Sequence, residues 1–184
     1  MNTANKITMT RVLLIPVFVA LLYIKFEVND LINNVSIALL VFIIAALTDV
    51  ADGIVARARN QVTDFGTFMD PLADKIMTFA AMLWFIEVEL MPAWLVLIII
   101  VREFMVTGMR LVAAAKSTVI AASIAGKVKT VVTVCCIIAM FLIHMFFPTQ
   151  EWMLICCWTL IGITTVVSGI EYLIKNKDVI KLSK

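Results

Sequence analysis

The chain has 184 residues, of which 63% are hydrophobic and 15% charged, and its mean hydropathy is +1.07. A soluble domain is usually about 45–50% apolar, so this composition argues against a water-soluble fold and points to lipid as the solvent. The formal net charge of +2 gives no basis for a nucleic-acid partner, and the length suits a single domain over 1–184.

Residues 7–24 form the first apolar run, at the roughly 20-residue length a bilayer requires. Lys6 and Arg11 give it the look of a signal peptide, but no small-x-small cleavage site follows Tyr23, so it reads as a retained helix bent near Pro16. Arg11 needs no more than a snorkelling role there. After a polar loop at 25–34, residues 35–47 are apolar for only about 20 Å of helical rise, too short to cross alone. The second helix is therefore expected to run on to about Arg59. Residues 61–67 read as a connection, with Asp64 as a loop residue. Pro71 predicts that the third helix starts or kinks at Asp70. Further helices are expected at 93–115, 128–147 and 152–174, the first of them interrupted by Arg102, Glu103 and Arg110.

The expected fold is thus an all-α integral membrane protein with six transmembrane helices. Six spans bring both termini to one side, and on that side fall all the basic residues except Lys25. The positive-inside rule makes it the cytoplasmic side and the protein a multi-pass cell-membrane protein. Cys135–Cys136 and Cys156–Cys157 lie in apolar runs, without C-x-x-C spacing, and His144 has no partner at ligand spacing. The cysteines read as small buried hydrophobes and a zinc site is not expected.

Against this background, residues 47–75 hold five aspartates, Asp49, Asp52, Asp64, Asp70 and Asp74. Buried carboxylates are costly unless something cationic needs them. On a helix, Asp49, Asp52, Gly53, Ala56 and Arg57 share an arc of about 140°. The two carboxylates can approach one cation, the two small residues leave room for a ligand, and Arg57 can hold a phosphate. Gly66, Asp70 and Asp74 repeat the pattern at four-residue steps. Four carboxylates with oxygen-only ligands favour Mg²⁺ or Mn²⁺ over zinc. Two such ions could clamp a diphosphate and stabilise in-line displacement at phosphorus. Crowded like charges raise one carboxylate's pKa, which suits Asp74 as general base for an attacking hydroxyl.

The spacing D-x-x-D-G-x-x-A-R-x8-G-x-x-x-D-x-x-x-D fixes eight positions in 26 residues, and it resembles without departure the motif of the CDP-alcohol phosphotransferase family. The resemblance implies a six-helix, homodimeric membrane enzyme that displaces CMP from a CDP-linked lipid with two divalent ions. It implies Asp49, Asp52, Asp70 and Asp74 as metal ligands, with Asp74 also the proton acceptor. It further implies that Gly53, Ala56, Arg57, Thr63 and Gly66 line the CDP-lipid site, together with Asn5 and Thr8 near the N-terminus. Flanking patterns at Asn5–Thr8–Arg11, at 69–75, at Arg102–Glu103–Arg110 and at 123–130 resemble one bacterial branch of the family. That branch takes CDP-diacylglycerol as donor and sn-glycerol 3-phosphate as acceptor; Thr133 stands where it would lead one to expect glutamine.

Independently of the resemblance, Arg102 lies about 14 Å along its helix from the outer end, too deep to be comfortable without an anionic partner. Arg110 is two turns on and within about 80° of the same face. Both, with Lys127, are candidates to bind the acceptor phosphate, and Lys127 and Lys129 could complete an anion funnel. Alternatives are another acceptor (inositol phosphate or serine), an intramembrane prenyltransferase, or a divalent-cation transporter. The prenyltransferases usually have more helices and a different aspartate spacing. A transporter predicts polar residues continuing to the far side, whereas the outer halves of these runs are almost wholly apolar.

Overall fold

The computed structural model describes the backbone of residues 3–24, 33–59, 64–115 and 123–177, and the side chains of 13–24, 33–48, 75–114 and 123–177. Six helices account for nearly all of the described backbone. They are α1 (Thr3–Tyr23), α2 (Asn34–Arg59), α3 (Asp64–Glu87), α4 (Ala93–Ala115), α5 (Ile124–Phe146) and α6 (Glu151–Lys175). Of these, α5 and α6 are each long and apolar enough, by length and composition, to cross a membrane. The chain divides into two compact units, Met1–Trp84 with His144–Phe147, and Phe85–Ile143 with Pro148–Lys184.

In the first unit α1 packs on α2. Val35, Ala38, Leu39, Phe42 and Ala45 are buried, the spacing of one helical stripe, while Leu40, Ile44 and Leu47 stay exposed. Phe18 of α1 meets Phe42 with ring centroids 5.9 Å apart. Asn33 and Ser36 start α2 by capping each other: the Ser36 amide donates to Asn33 Oδ1 at 2.9 Å, and the Asn33 amide to Ser36 Oγ at 3.1 Å. Trp84 closes this unit edge-on to His144, with ring centroids 5.5 Å apart.

In the second unit α4 packs on α6. Glycine lets the two approach closely, because a Cβ at Gly162 would come within 3.2 Å of Leu95 Cδ1 and one at Gly169 within 3.3 Å of Arg102 Cγ. Ile99, Ile137, Met140 and Ile161 are fully buried, and Phe85 meets Phe141 at 4.8 Å between ring centroids. A paired hydrogen-bond motif ends α3: the Leu90 amide bonds Phe85 O at 2.8 Å and the Glu89 amide bonds Ile86 O at 3.1 Å, with Glu89 at φ 60°.

Two helix starts differ from expectation. α3 begins at Asp64, not at Asp70. Pro71 is the eighth residue of this helix, which carries it at the cost of the one hydrogen bond to Thr67 that proline cannot donate. α5 begins at Ile124, four residues early, because the Gly126 amide donates to Ser123 Oγ at 3.0 Å and so gives the helix a cap. All four cysteines are free thiols, but Cys135 and Cys156 are exposed rather than buried. Their helices present apolar side chains on the outer face as well as the inner one.

The packing makes a direct prediction. Phe141→Ala, which empties a fully buried ring site, lowers stability by roughly 3 kcal/mol, while its exposed neighbour Leu142→Ala changes it little. Thermal unfolding of the two variants in detergent, side by side, checks this.

Candidate active site

The acidic stretch occupies two unbroken helical segments of the first unit. Asp49, Asp52, Gly53, Ala56 and Arg57 all stand on α2, and Gly66, Asp70 and Asp74 all stand on α3. Their side chains lie outside the described ones, so their placement rests on backbone register alone. An uninterrupted α2 keeps Asp49 and Asp52 three residues apart on one face, with Gly53 and Ala56 on the same arc. An uninterrupted α3 does the same for Gly66, Asp70 and Asp74 at four-residue steps. This register fits the hard-cation reading: each helix offers two carboxylates along one stripe with a small residue beside them. Among the described side chains there is no competing group of three or more potential metal ligands. Asn5 and Thr8 stand on α1, also with undescribed side chains, and Thr63 falls outside the described residues.

The second unit holds a set of buried charges that is fully described. Arg102 and Glu103 of α4 and Lys129 of α5 are all buried, at 9%, 9% and 6% exposure. Arg102 Nη1 donates to Glu103 Oε1 at 2.8 Å, and Lys129 Nζ donates to the same oxygen at 2.7 Å. Removing the carboxylate would take a shared partner from two buried cations. Arg102 Nε is buried and has no hydrogen-bond partner among the described residues. In the same unit Thr133 Oγ1, Thr165 Oγ1 and the Tyr172 hydroxyl are also buried without partners among the described residues.

The two arginines of α4 have different settings. Arg102 is buried against Glu103, whereas Arg110 is exposed, with its guanidinium carbon 5.7 Å from the centroid of the Tyr172 ring. Eight residues separate them, about 12 Å along the axis. Lys127 is exposed on the first turn of α5, while Lys129, two positions on, is the lysine that reaches Glu103. Sequence reasoning placed Lys129 near the arginines but passed over Glu103 as the anion that Arg102 and Lys129 share. The usable signal was the position of Glu103 beside a deep arginine, which supplies the anion that Arg102 requires.

Comparison with known proteins gives a consistent picture. The family model described as CDP-alcohol phosphatidyltransferase matches residues 1–168. A Bacillus subtilis (strain 168) protein named CDP-diacylglycerol–glycerol-3-phosphate 3-phosphatidyltransferase is 41% identical, covering 99% of this chain and 98% of its own length. A Mycobacterium tuberculosis protein named probable phosphatidylglycerophosphate synthase is 33% identical, covering 93% of this chain and 79% of its own length. A Salmonella typhimurium protein with the same name as the Bacillus one is 37% identical over 70% of each chain.

The partnerless Tyr172 hydroxyl yields a stability prediction. Tyr172→Phe removes an unpaired buried polar group and leaves the melting temperature unchanged or higher, by up to about 1–3 kcal/mol in stability. Tyr172→Ala, which also removes the ring beneath Arg110, lowers it. Differential scanning fluorimetry of both variants checks the contrast.

Proposed function

The chain belongs to the CDP-alcohol phosphatidyltransferase family, and from that premise we propose that it transfers the phosphatidyl group of CDP-diacylglycerol to sn-glycerol 3-phosphate, releasing CMP and phosphatidylglycerol phosphate. One observation carries the reaction and its acceptor: 41% identity along 99% of the chain to a relative named for that transfer.

In this reading Asp74 accepts the proton of the 1-hydroxyl of glycerol 3-phosphate as that oxygen attacks the lipid-side phosphorus. The new P–O bond forms as the bond to the CMP phosphate breaks, and the electron pair leaves on CMP. Two Mg²⁺ or Mn²⁺ ions, held by Asp49, Asp52, Asp70 and Asp74, would supply neutralisation of the diphosphate charge. Arg57 pairs with phosphate oxygens on the CDP side. Gly53, Ala56 and Gly66 leave room for the CDP moiety, and Asn5, Thr8 and Thr63 line its site. Arg102, Arg110 and Lys127 serve the acceptor phosphate. Arg102 has the best physical support, since its Nε donor is buried without a partner. Direct displacement needs no covalent protein intermediate.

The same reading makes 1–184 one membrane domain with six spans and both termini cytoplasmic. The active site then faces the cytoplasm, where a water-soluble acceptor meets a lipid donor, and the working unit is a homodimer. All basic residues but Lys25 falling on one side supports that orientation.

The test is CMP release by purified protein given CDP-diacylglycerol, Mn²⁺ and each of glycerol 3-phosphate, inositol phosphate and serine. Turnover is expected with glycerol 3-phosphate alone; turnover only with another acceptor would overturn the acceptor assignment. Chelation with EDTA abolishes activity, and added Mg²⁺ or Mn²⁺ restores it. Asp74→Asn lowers kcat by at least about 10²-fold, the lower range of general-base contributions, while CDP binding persists. Near-normal turnover in that variant would remove Asp74 from the base role.

A further inference from the structure

We infer that Glu103 is a positioning residue for the acceptor phosphate, acting through the guanidinium of Arg102. This rests on the reading above, in which Arg102 binds that phosphate. The reasoning starts from the shape of the guanidinium. Its Nε and Nη2 hydrogens lie parallel along one edge and fit two oxygens of a phosphate, whereas Nη1 lies on the opposite side. Glu103 Oε1 takes Nη1 at 2.8 Å. Nε is buried with no partner, and Nη2 donates no hydrogen bond among the described residues. Glu103 therefore engages the one nitrogen that a side-on phosphate does not need and leaves the two-donor edge free.

Three further contacts fix that edge in place. Lys129 Nζ holds the same carboxylate oxygen at 2.7 Å from α5, so Glu103 cannot swing away without breaking two charge-assisted bonds. The Arg102 stem lies against Gly169, where a Cβ would come within 3.3 Å of its Cγ. At the other end, a Cβ on Gly126 would lie 3.7 Å from Arg102 Nη2 and 3.3 Å from Ser123 Oγ. The Nη2 end of that edge thus lies near the first turn of α5, where Ser123 Oγ already takes the Gly126 amide and the amides before it have no acceptor within the helix.

The experiment measures KM for glycerol 3-phosphate, KM for CDP-diacylglycerol, kcat, and direct glycerol 3-phosphate binding by calorimetry. The proteins are the wild type, Glu103→Gln, Arg102→Lys and the double variant. Glu103→Gln is expected to raise KM and Kd for glycerol 3-phosphate about tenfold, about one charge-assisted hydrogen bond. Its kcat should fall less than threefold and its CDP-diacylglycerol KM should stay put. Because Glu103 acts through Arg102, the double variant should be no more than about threefold worse than the weaker single variant, rather than the product of the two. An unchanged KM overturns the inference. So does a fall in KM, the result expected if the carboxylate merely repels the incoming phosphate, and so does full additivity. If Glu103→Gln does not fold, Glu103→Asp keeps the charge and shortens the reach, and a normal KM there overturns the inference equally. A wild type that binds glycerol 3-phosphate but releases no CMP would sink the proposed reaction. A weaker Kd in Glu103→Gln would even then uphold the role of Glu103. A wild type that does not bind glycerol 3-phosphate would end both.

Discussion

A carboxylate or guanidinium taken out of water must find its opposite nearby, and in a chain this apolar few candidates exist. The second unit meets the requirement with one oxygen. Glu103 Oε1 receives both Arg102 Nη1 and Lys129 Nζ, joining α4 to α5 at a point where all three side chains are nearly withdrawn from solvent. Much of the surrounding architecture suits this junction. Gly169 gives the arginine stem room to lie against α6, Gly126 keeps the start of α5 clear of Nη2, and Ser123 caps that start. Replacing such a set by apolar residues often leaves a protein as stable or more so, so stability alone is a weak account of its presence. The partnerless Nε beside it supplies a better account, because a donor left unpaired in a dry place is costly unless a ligand takes it.

The first unit answers to a different constraint, that of helix continuity. The apolar part of α2 is too short to cross a bilayer, and the helix runs on through the acidic residues to Arg59. An unbroken helix converts sequence spacing into facing. Asp49 and Asp52 share a stripe only because nothing between them interrupts the register, and the same holds for Asp70 and Asp74 on α3. Pro71 could have broken that register. It is the eighth residue of a helix that starts at Asp64, and the helix continues through it without the one backbone hydrogen bond that proline cannot donate.

Local pattern accounts for what was legible beforehand. The end of α2 and the limits of α4 at 93–115 follow from apolar run length and from the turn residues beside them. The acidic motif, being local, could be assigned to its family without a structure. The start of α5 was misjudged because Ser123 sits in a stretch of small polar residues that resembles a loop, and a cap is visible only once its hydroxyl is seen to accept from Gly126. The Glu103–Lys129 bond joins residues 26 positions apart on different helices. Helical periodicity gives the face of each but not which neighbouring helix that face meets. Sequence therefore offered Arg110, Lys127 and Lys129 as companions of Arg102, but not the Glu103 carboxylate that Arg102 and Lys129 share.

The charge balance of that junction also bears on the rival reading of the chain as a conduit for divalent cations. Such a path wants carboxylates and neutral oxygens following one another through the apolar layer. Within the second unit the described buried charged residues are Arg102, Glu103 and Lys129, and the buried side-chain atoms without partners include hydroxyls at Thr133, Thr165 and Tyr172 and a single carboxylate oxygen, Glu171 Oε2. A divalent cation gains nothing from Arg102 and Lys129, whereas a small phosphate-bearing molecule meets a free donor edge. In the proposed transfer the carboxylates of α2 and α3 would serve the metal-neutralised diphosphate, and the unpaired Nε of Arg102 the acceptor's phosphate.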